Sequence, residues 1–162
     1  MTKREMRKFV YEYFDSHTFR EARYPNGQLK ALANFKGKKL DGPFSEWYQN
    51  GQPKSRKEFE NDELNGLHET WYSSGQQMSR ANFVNDKLEG VAEVWDESGQ
   101  LKERTTWKNG KLNGVLELYY SNGKIKDRIN YKDGKIEGVY EWFRESGELI
   151  SRSTWKNGIP SC

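Results

Sequence analysis

One feature constrains this chain more than any other: a 24-residue repeat runs through nearly all of it. Gly27, Gly51, Gly75, Gly99, Gly123 and Gly147 follow one another at that spacing, and Gly42, Gly66, Gly90, Gly114 and Gly138 keep it in a second series. Counted from the first Gly of each unit, position 8 is always aromatic: Phe35, Phe59, Phe83, Trp107, Tyr131, Trp155. Position 13 is Leu40, Leu64, Leu88, Leu112 and then Ile136, and position 20 is aromatic again, with Trp47, Trp71, Trp95, Tyr119 and Phe143. Fixed-period self-similarity marks a stack of equivalent small units, each burying its apolar side chains only against its neighbours. The units span 27–50, 51–74, 75–98, 99–122 and 123–146, with a partial unit at 147–158 and a tail at 159–162. Residues 1–26 read as a degenerate capping unit. Stepping back one period from Phe35 gives Tyr11 and from Tyr48 gives Tyr24, but Leu40 and Gly42 map to Ser16 and Thr18. An end unit of a stack has a neighbour on one side only and departs from the pattern, and alternating Phe9, Tyr11 and Tyr13 form a candidate capping strand.

Each unit reads as a β-hairpin. Asn-Gly and Asp-Gly favour the type I′ turn because both residues tolerate positive φ. They stand mid-unit at Asn109-Gly110, Asp133-Gly134 and Asn157-Gly158, and between units at Asn26-Gly27, Asn50-Gly51 and Asn122-Gly123, with Ser-Gly at the other junctions. The runs between turns, about eight residues, are short for helices and rich in β-branched and aromatic residues. The leading strand alternates, with Leu101, Glu103, Thr105 and Trp107 on one side and Lys102, Arg104, Thr106 and Lys108 on the other. The returning strand alternates less cleanly, and its Gly at position 15 marks a bulge or a close backbone approach. The expected fold is all-β, an elongated single-file array of antiparallel hairpins.

Composition narrows function by exclusion. Of 162 residues, 27 are basic and 24 acidic, a net charge of +3 without a basic block, so nucleic-acid binding has little support. Aliphatic residues are sparse, but the 14% of aromatic residues compensate, since each ring buries about 150–250 Å². No apolar run approaches the roughly 18–20 residues of a membrane span, and the basic start MTKREMRKFVYEYFD lacks the apolar core of a secretory signal. The expected location is cytoplasmic, or the host cytoplasm or virion for a viral chain. A single Cys162 and two His residues make an internal disulfide impossible and a zinc site improbable. No nucleophile elbow, P-loop, dinucleotide fingerprint or His-Glu-x-x-His occurs, so no enzyme activity, catalytic residue, cofactor or metal is expected. His68 is expected to face solvent.

The pattern from Gly99 to Gly123, G-x-L-K-x-R-x-x-W-K-N-G-K-L-x-G-V-x-E-x-Y-Y-x-N-G, resembles the MORN-repeat superfamily. It is most similar to the variant repeats of YwqK-type antitoxin-like bacterial proteins and of MORN-rich giant viruses. The Tyr-Glu-Gly-Glu-Trp run of standard MORN repeats is absent. The resemblance implies an array of hairpins with a groove along one side and a non-enzymatic scaffold for protein–protein contact or assembly. It carries two alternatives: a peripheral binder of anionic phospholipid membranes, and an antitoxin-like inhibitor of a partner protein.

Several columns are candidates for contact. Trp47, Trp71, Trp95 and Tyr119 either form the spine that joins units or line a groove that grips a peptide. The next column, Tyr48, Tyr72, Asp96, Tyr120 and Arg144, varies in kind, so Tyr48, Tyr72 and Tyr120 are expected to face solvent and a protein partner. Arg56, Arg80, Arg104, Arg128 and Arg152 at position 5 are expected diagonally across from Glu69, Glu93, Glu117 and Glu141 at position 18, a ladder that fixes register. Lys108, Lys111, Lys132, Lys135 and Lys156 gather at mid-unit turns, an edge for an anionic surface or simply solvated turn charges, with Glu60, Asp62, Glu63 and Asp86 interrupting it. Exposed terminal strands offer a route to homo-oligomers.

Overall fold

A computed structural model of the chain describes residues 17–161, and the expected capping residues Phe9, Tyr11 and Tyr13 lie outside them. Fifteen strands form one open antiparallel sheet whose order follows the chain. His17–Arg23 comes first. Six leading strands follow at Leu29–Lys36, Pro53–Glu60, Gln77–Val84, Leu101–Lys108, Ile125–Lys132 and Leu149–Lys156. The returning strands are Lys39–Trp47, Glu63–Leu64 with Gly66–Trp71, Lys87–Trp95, Lys111–Leu112 with Gly114–Tyr119, Lys135–Phe143 and Ile159–Ser161. The sheet is one layer thick. Among the described residues Ala33, at 8% exposure, is the only buried apolar side chain, and no side chain is fully buried. A lone hairpin is marginal in water, so each unit depends on hydrogen bonds to the next.

The two long edges are closed by different turns. Mid-unit, both central residues have positive φ at Asn61-Asp62, Asn85-Asp86, Asn109-Gly110, Asp133-Gly134 and Asn157-Gly158, as a type I′ turn requires. Between units, positive φ belongs to the Gly alone, with Tyr48 N–H bonded to the Gln52 carbonyl and Gly51 N–H to the Tyr48 carbonyl. That is a three-residue loop, a type I turn ending in a left-handed Gly. The expectation of type I′ geometry at Asn50-Gly51 and its equivalents is corrected. The Asn there stays at negative φ, and its amide oxygen accepts the N–H two residues on, as Asn50 does from Gln52 at 3.1 Å.

The Gly at position 15 explains the irregular returning strand. In unit five, Tyr131 faces Ile136 while Ile129 faces Tyr140, so two extra residues enter the returning strand around Gly138. The same shift separates Phe35↔Leu40 from Ala33↔Phe44. It also corrects the expected register. Position 18 lies directly opposite position 5, not diagonal to it. Arg56, Glu69, Arg80, Glu93, Arg104, Glu117, Arg128, Glu141 and Arg152 are therefore successive cross-strand partners in one row of alternating charge.

Units are tied together at both edges. Tyr24, Tyr48, Tyr72 and Tyr120 donate their hydroxyls to the carbonyls of Trp47, Trp71, Trp95 and Phe143 in the next unit, at 2.8, 2.8, 3.0 and 2.8 Å. Asp96 stands in this column too, but its carboxylate accepts the N–H groups of Ser98 and Gln100 in its own turn. On the other edge, the N–H of the second turn residue bonds back to the preceding unit's position-13 carbonyl, as Gly110 does to Leu88 at 2.9 Å and Gly134 to Leu112 at 2.8 Å. Where that turn residue is Asp62 or Asp86, its carboxylate also accepts the Leu40 or Leu64 N–H, at 2.7 and 2.8 Å.

The edge ties and the close approach at the bulge are both open to measurement. Tyr72→Phe removes one hydroxyl–carbonyl bond without changing the ring and should cost about 0.5–1.5 kcal/mol in urea unfolding. Gly114 sits at φ 130, and a Cβ there would lie 2.9 Å from the Thr106 Cβ. Gly114→Ala should therefore cost about 2–3 kcal/mol, and Gly134→Ala, in open space, only about 1. Equal losses at the two glycines would mean that the close approach is not felt.

Candidate functional site

One face of the sheet carries both the charge row and the position-20 rings. Side chains two residues apart on a strand share a face, and the Tyr119 hydroxyl donates to Glu117 at 2.7 Å accordingly. Among the described residues, hollows recur along this face. The first, about 450 Å³, is lined by Leu32, Pro43, Trp47, Pro53, Arg56 and Trp71, among others. The second, about 490 Å³, includes Leu67, Arg80, Val91 and Arg104. The third, about 370 Å³, includes Val91, Arg104, Val115, Glu117 and Arg128. Units repeat every two strands, roughly 10 Å along the sheet, so the hollows recur with the sequence. The apolar wall comes from position 16, which is Pro43, Leu67, Val91 and Val115 in turn. That column was visible in the sequence, but its face could be assigned only once the bulge was placed.

The charge row is not equally closed along its length. Arg128 reaches Glu117 at 3.0 Å and Glu141 at 3.6 Å, and Arg152 also pairs with Glu141. Arg104 reaches Glu93 at 3.6 Å. Towards the amino-terminal end the pairing loosens. Arg56 turns to Glu58 in its own strand at 3.6 Å, Glu69 accepts from Gln77 at 3.2 Å, and Arg80 makes no ion pair among the described residues. Burial works to raise the Glu117 carboxyl, but hydrogen bonds from Tyr119 and Arg128 outweigh it and hold the group below the usual carboxylate range. The same contact, after burial, pushes the Tyr119 hydroxyl up to about 12. Glu117 thus stays an anion inside its pair of cations, a structural arrangement with no proton poised for transfer near neutral pH.

The expected contact residues fall into three groups. Trp47, Trp71, Trp95 and Tyr119 are half-buried on the grooved face, and among the described residues no ring–ring contact joins them to one another. Tyr48, Tyr72 and Tyr120 were expected to face solvent. Each is half-buried, with its hydroxyl spent on a carbonyl of the next unit. A ring with a polar tip can pack and still reach a neighbouring backbone, and sequence variation at Asp96 and Arg144 concealed that task. Lys108, Lys111, Lys132, Lys135 and Lys156 are all exposed at the mid-unit turns. His68 is also corrected. It is half-buried on the opposite face, its ring 5.9 Å from Phe83, and burial followed by the nearby Lys57 charge lowers its pKa. Among the described residues no group of three or more His, Cys, Asp or Glu could hold a metal ion, and no helix is long and apolar enough to cross a membrane.

Comparison with known proteins bears on the family. No curated protein sequence matches the chain. The solved structures that overlay on it include a point mutant of S. aureus TarM in complex with fondaparinux, alpha-GlcNAc-glycerol and UDP, and a second structure of TarM. The first has 9% identity and a TM-score of 0.38 over 84% of this chain. The second has 9% identity and a TM-score of 0.34 over 82%. The chain spans 24% of the length of each, and likeness at that level carries no argument about fold or activity. The model of the MORN repeat variant matches residues 20–36, 40–61, 88–109, 112–133 and 136–157. All but the first of those segments begin at the returning strand and end at the next mid-unit turn, and residues 64–85 occupy the same place in the 24-residue frame. With its repeat period, bulge Gly and hairpin sheet in agreement with that match, the chain belongs to the MORN repeat variant family.

Proposed function

We propose that the chain is a non-enzymatic protein-binding module whose grooved face grips an extended segment of a partner protein. The observation that carries this reading is the row of hollows, each combining apolar walls with an Arg. Large half-exposed rings beside such hollows, Trp47 and Trp71 above all, are the residue types that dominate binding energy at protein interfaces. Arg56 and Arg80 form no ion pair with the Glu residues that face them in the charge row, so the amino-terminal hollows offer guanidinium groups to an incoming carboxylate. A guanidinium can hold a carboxylate through two parallel hydrogen bonds. The unit spacing of roughly 10 Å equals about three residues of extended chain. The matching ligand is an extended peptide with acidic and apolar side chains repeating at about that interval. Units four to six, where the row closes on itself, serve chiefly to hold the face in shape.

Selection of peptides from a random library on the full chain tests this. Enriched peptides should carry acidic and apolar residues, and Arg56→Ala or Trp71→Ala should weaken them about tenfold or more, roughly 1.4 kcal/mol. Lys156→Ala, remote from the hollows, should leave binding unchanged. Peptides that bind the Arg56 and Trp71 variants as well as the parent chain would refute the reading.

A further inference from the structure

The mid-unit turn edge carries a charge pattern that the grooved face does not use. At these turns the residues flanking the two central positions are direct cross-strand partners. In unit two they are Glu60 and Glu63, and in unit four Lys108 and Lys111. Like charges placed directly opposite destabilise a hairpin, and no ion pair relieves either couple among the described residues. All four side chains are exposed. Asp62 adds to the acidic turn. Unit three lies between the two, and its turn presents Val84, 43% exposed, beside Asp86 and Lys87. From unit two to unit four the edge therefore reads acidic, mixed with one apolar residue, then basic, at equal steps of two strands, roughly 10 Å each, while units one and five carry the like-charged couples Lys36–Lys39 and Lys132–Lys135.

We infer that this edge is a self-complementary interface at which two copies of the chain associate side by side and antiparallel. A two-fold axis at the turn of unit three sets Glu60, Asp62 and Glu63 of one copy against Lys108 and Lys111 of the other, and does so twice. This is the isologous arrangement that closes a symmetric dimer. At the axis Val84 meets its counterpart, with Asp86 of each copy beside Lys87 of the other. The outer turns do not add to the attraction: Lys36 and Lys39 of unit one, a like-charged couple, fall opposite unit five, where Lys132 and Lys135 are another, so it is confined to units two to four. A parallel, in-register pairing sets every like charge against itself and is disfavoured. An edge-to-edge contact between one-layer sheets buries little area, so the dimer is weak and depends on charge. The interface lies away from the hollows, and the peptide-binding reading stands or falls separately.

Sedimentation equilibrium of the full chain at about 20 mM and about 500 mM salt tests the inference, because screening shortens the reach of these charges. Dimers at low salt should weaken about tenfold or more at high salt. Glu60→Lys with Glu63→Lys should give a monomer at low salt, and so should Lys108→Glu with Lys111→Glu. Mixing the two variants should restore a dimer, since the reversed turns of one then face the reversed turns of the other with opposite sign. Glu60→Gln with Glu63→Gln, which removes charge without reversing it, should fall between parent and reversal. A parent chain that is monomeric at low salt overturns the proposal. So do variants that dimerise as well as the parent, and a mixture that stays monomeric. A monomer that co-sediments with phosphatidylserine vesicles, through Lys108 and Lys111, overturns it in favour of a membrane surface.

Discussion

A sheet one layer thick has no interior, and that constraint shapes everything else in this protein. Burial of apolar area, the dominant stabilising term in most folds, is available here only in part, because among the described residues no large ring is buried. Stability must then come from regular repetition: backbone ladders on both sides of each strand, hydroxyl-to-carbonyl ties along one edge, and turn-to-carbonyl bonds along the other. Each tie joins a residue to the next unit or the one before, so it exists only when the neighbouring unit is folded. The strict 24-residue period is the sequence expression of that dependence. An insertion in one unit would move its tyrosine and its position-13 carbonyl away from the groups they meet.

The fold was legible in the sequence because its period, turn residues and aromatic columns are local signals. Even the bulge was visible as a Gly at position 15. What was hidden is how far the bulge displaces the strands. A shift of two residues turns a diagonal Arg–Glu neighbour into a direct one, and no side-chain pattern reports that count. The tyrosine column was misread for a related reason. Its variation at Asp96 and Arg144 implied a free surface, yet both replacements find partners in their own turns, Asp96 with Ser98 and Gln100 and Arg144 with Glu148. Variation there shows that one inter-unit tie can be dispensed with, not that the column is idle.

The candidate site follows from the same geometry. Because position 16 and position 5 lie on one face, which a shift of two residues leaves unchanged, apolar and cationic side chains alternate along a shallow groove at the period of the repeat. The row closes where Glu117 and Glu141 lie beneath Arg128 and Arg152, and opens where Arg56 and Arg80 lack those partners. A structural ladder and a recognition surface are thus two ends of one row, distinguished by which guanidinium groups are already satisfied. The turn edges add a separate charge pattern, set by residues that the sheet itself does not need.

Native-state amide hydrogen exchange, read strand by strand on the full chain, tests most directly the claim that units are stable only through their neighbours. Nearest-neighbour coupling predicts protection that is highest in units three and four and declines towards unit one and unit six. Equal protection in every unit, or a maximum confined to a terminal unit, would contradict it.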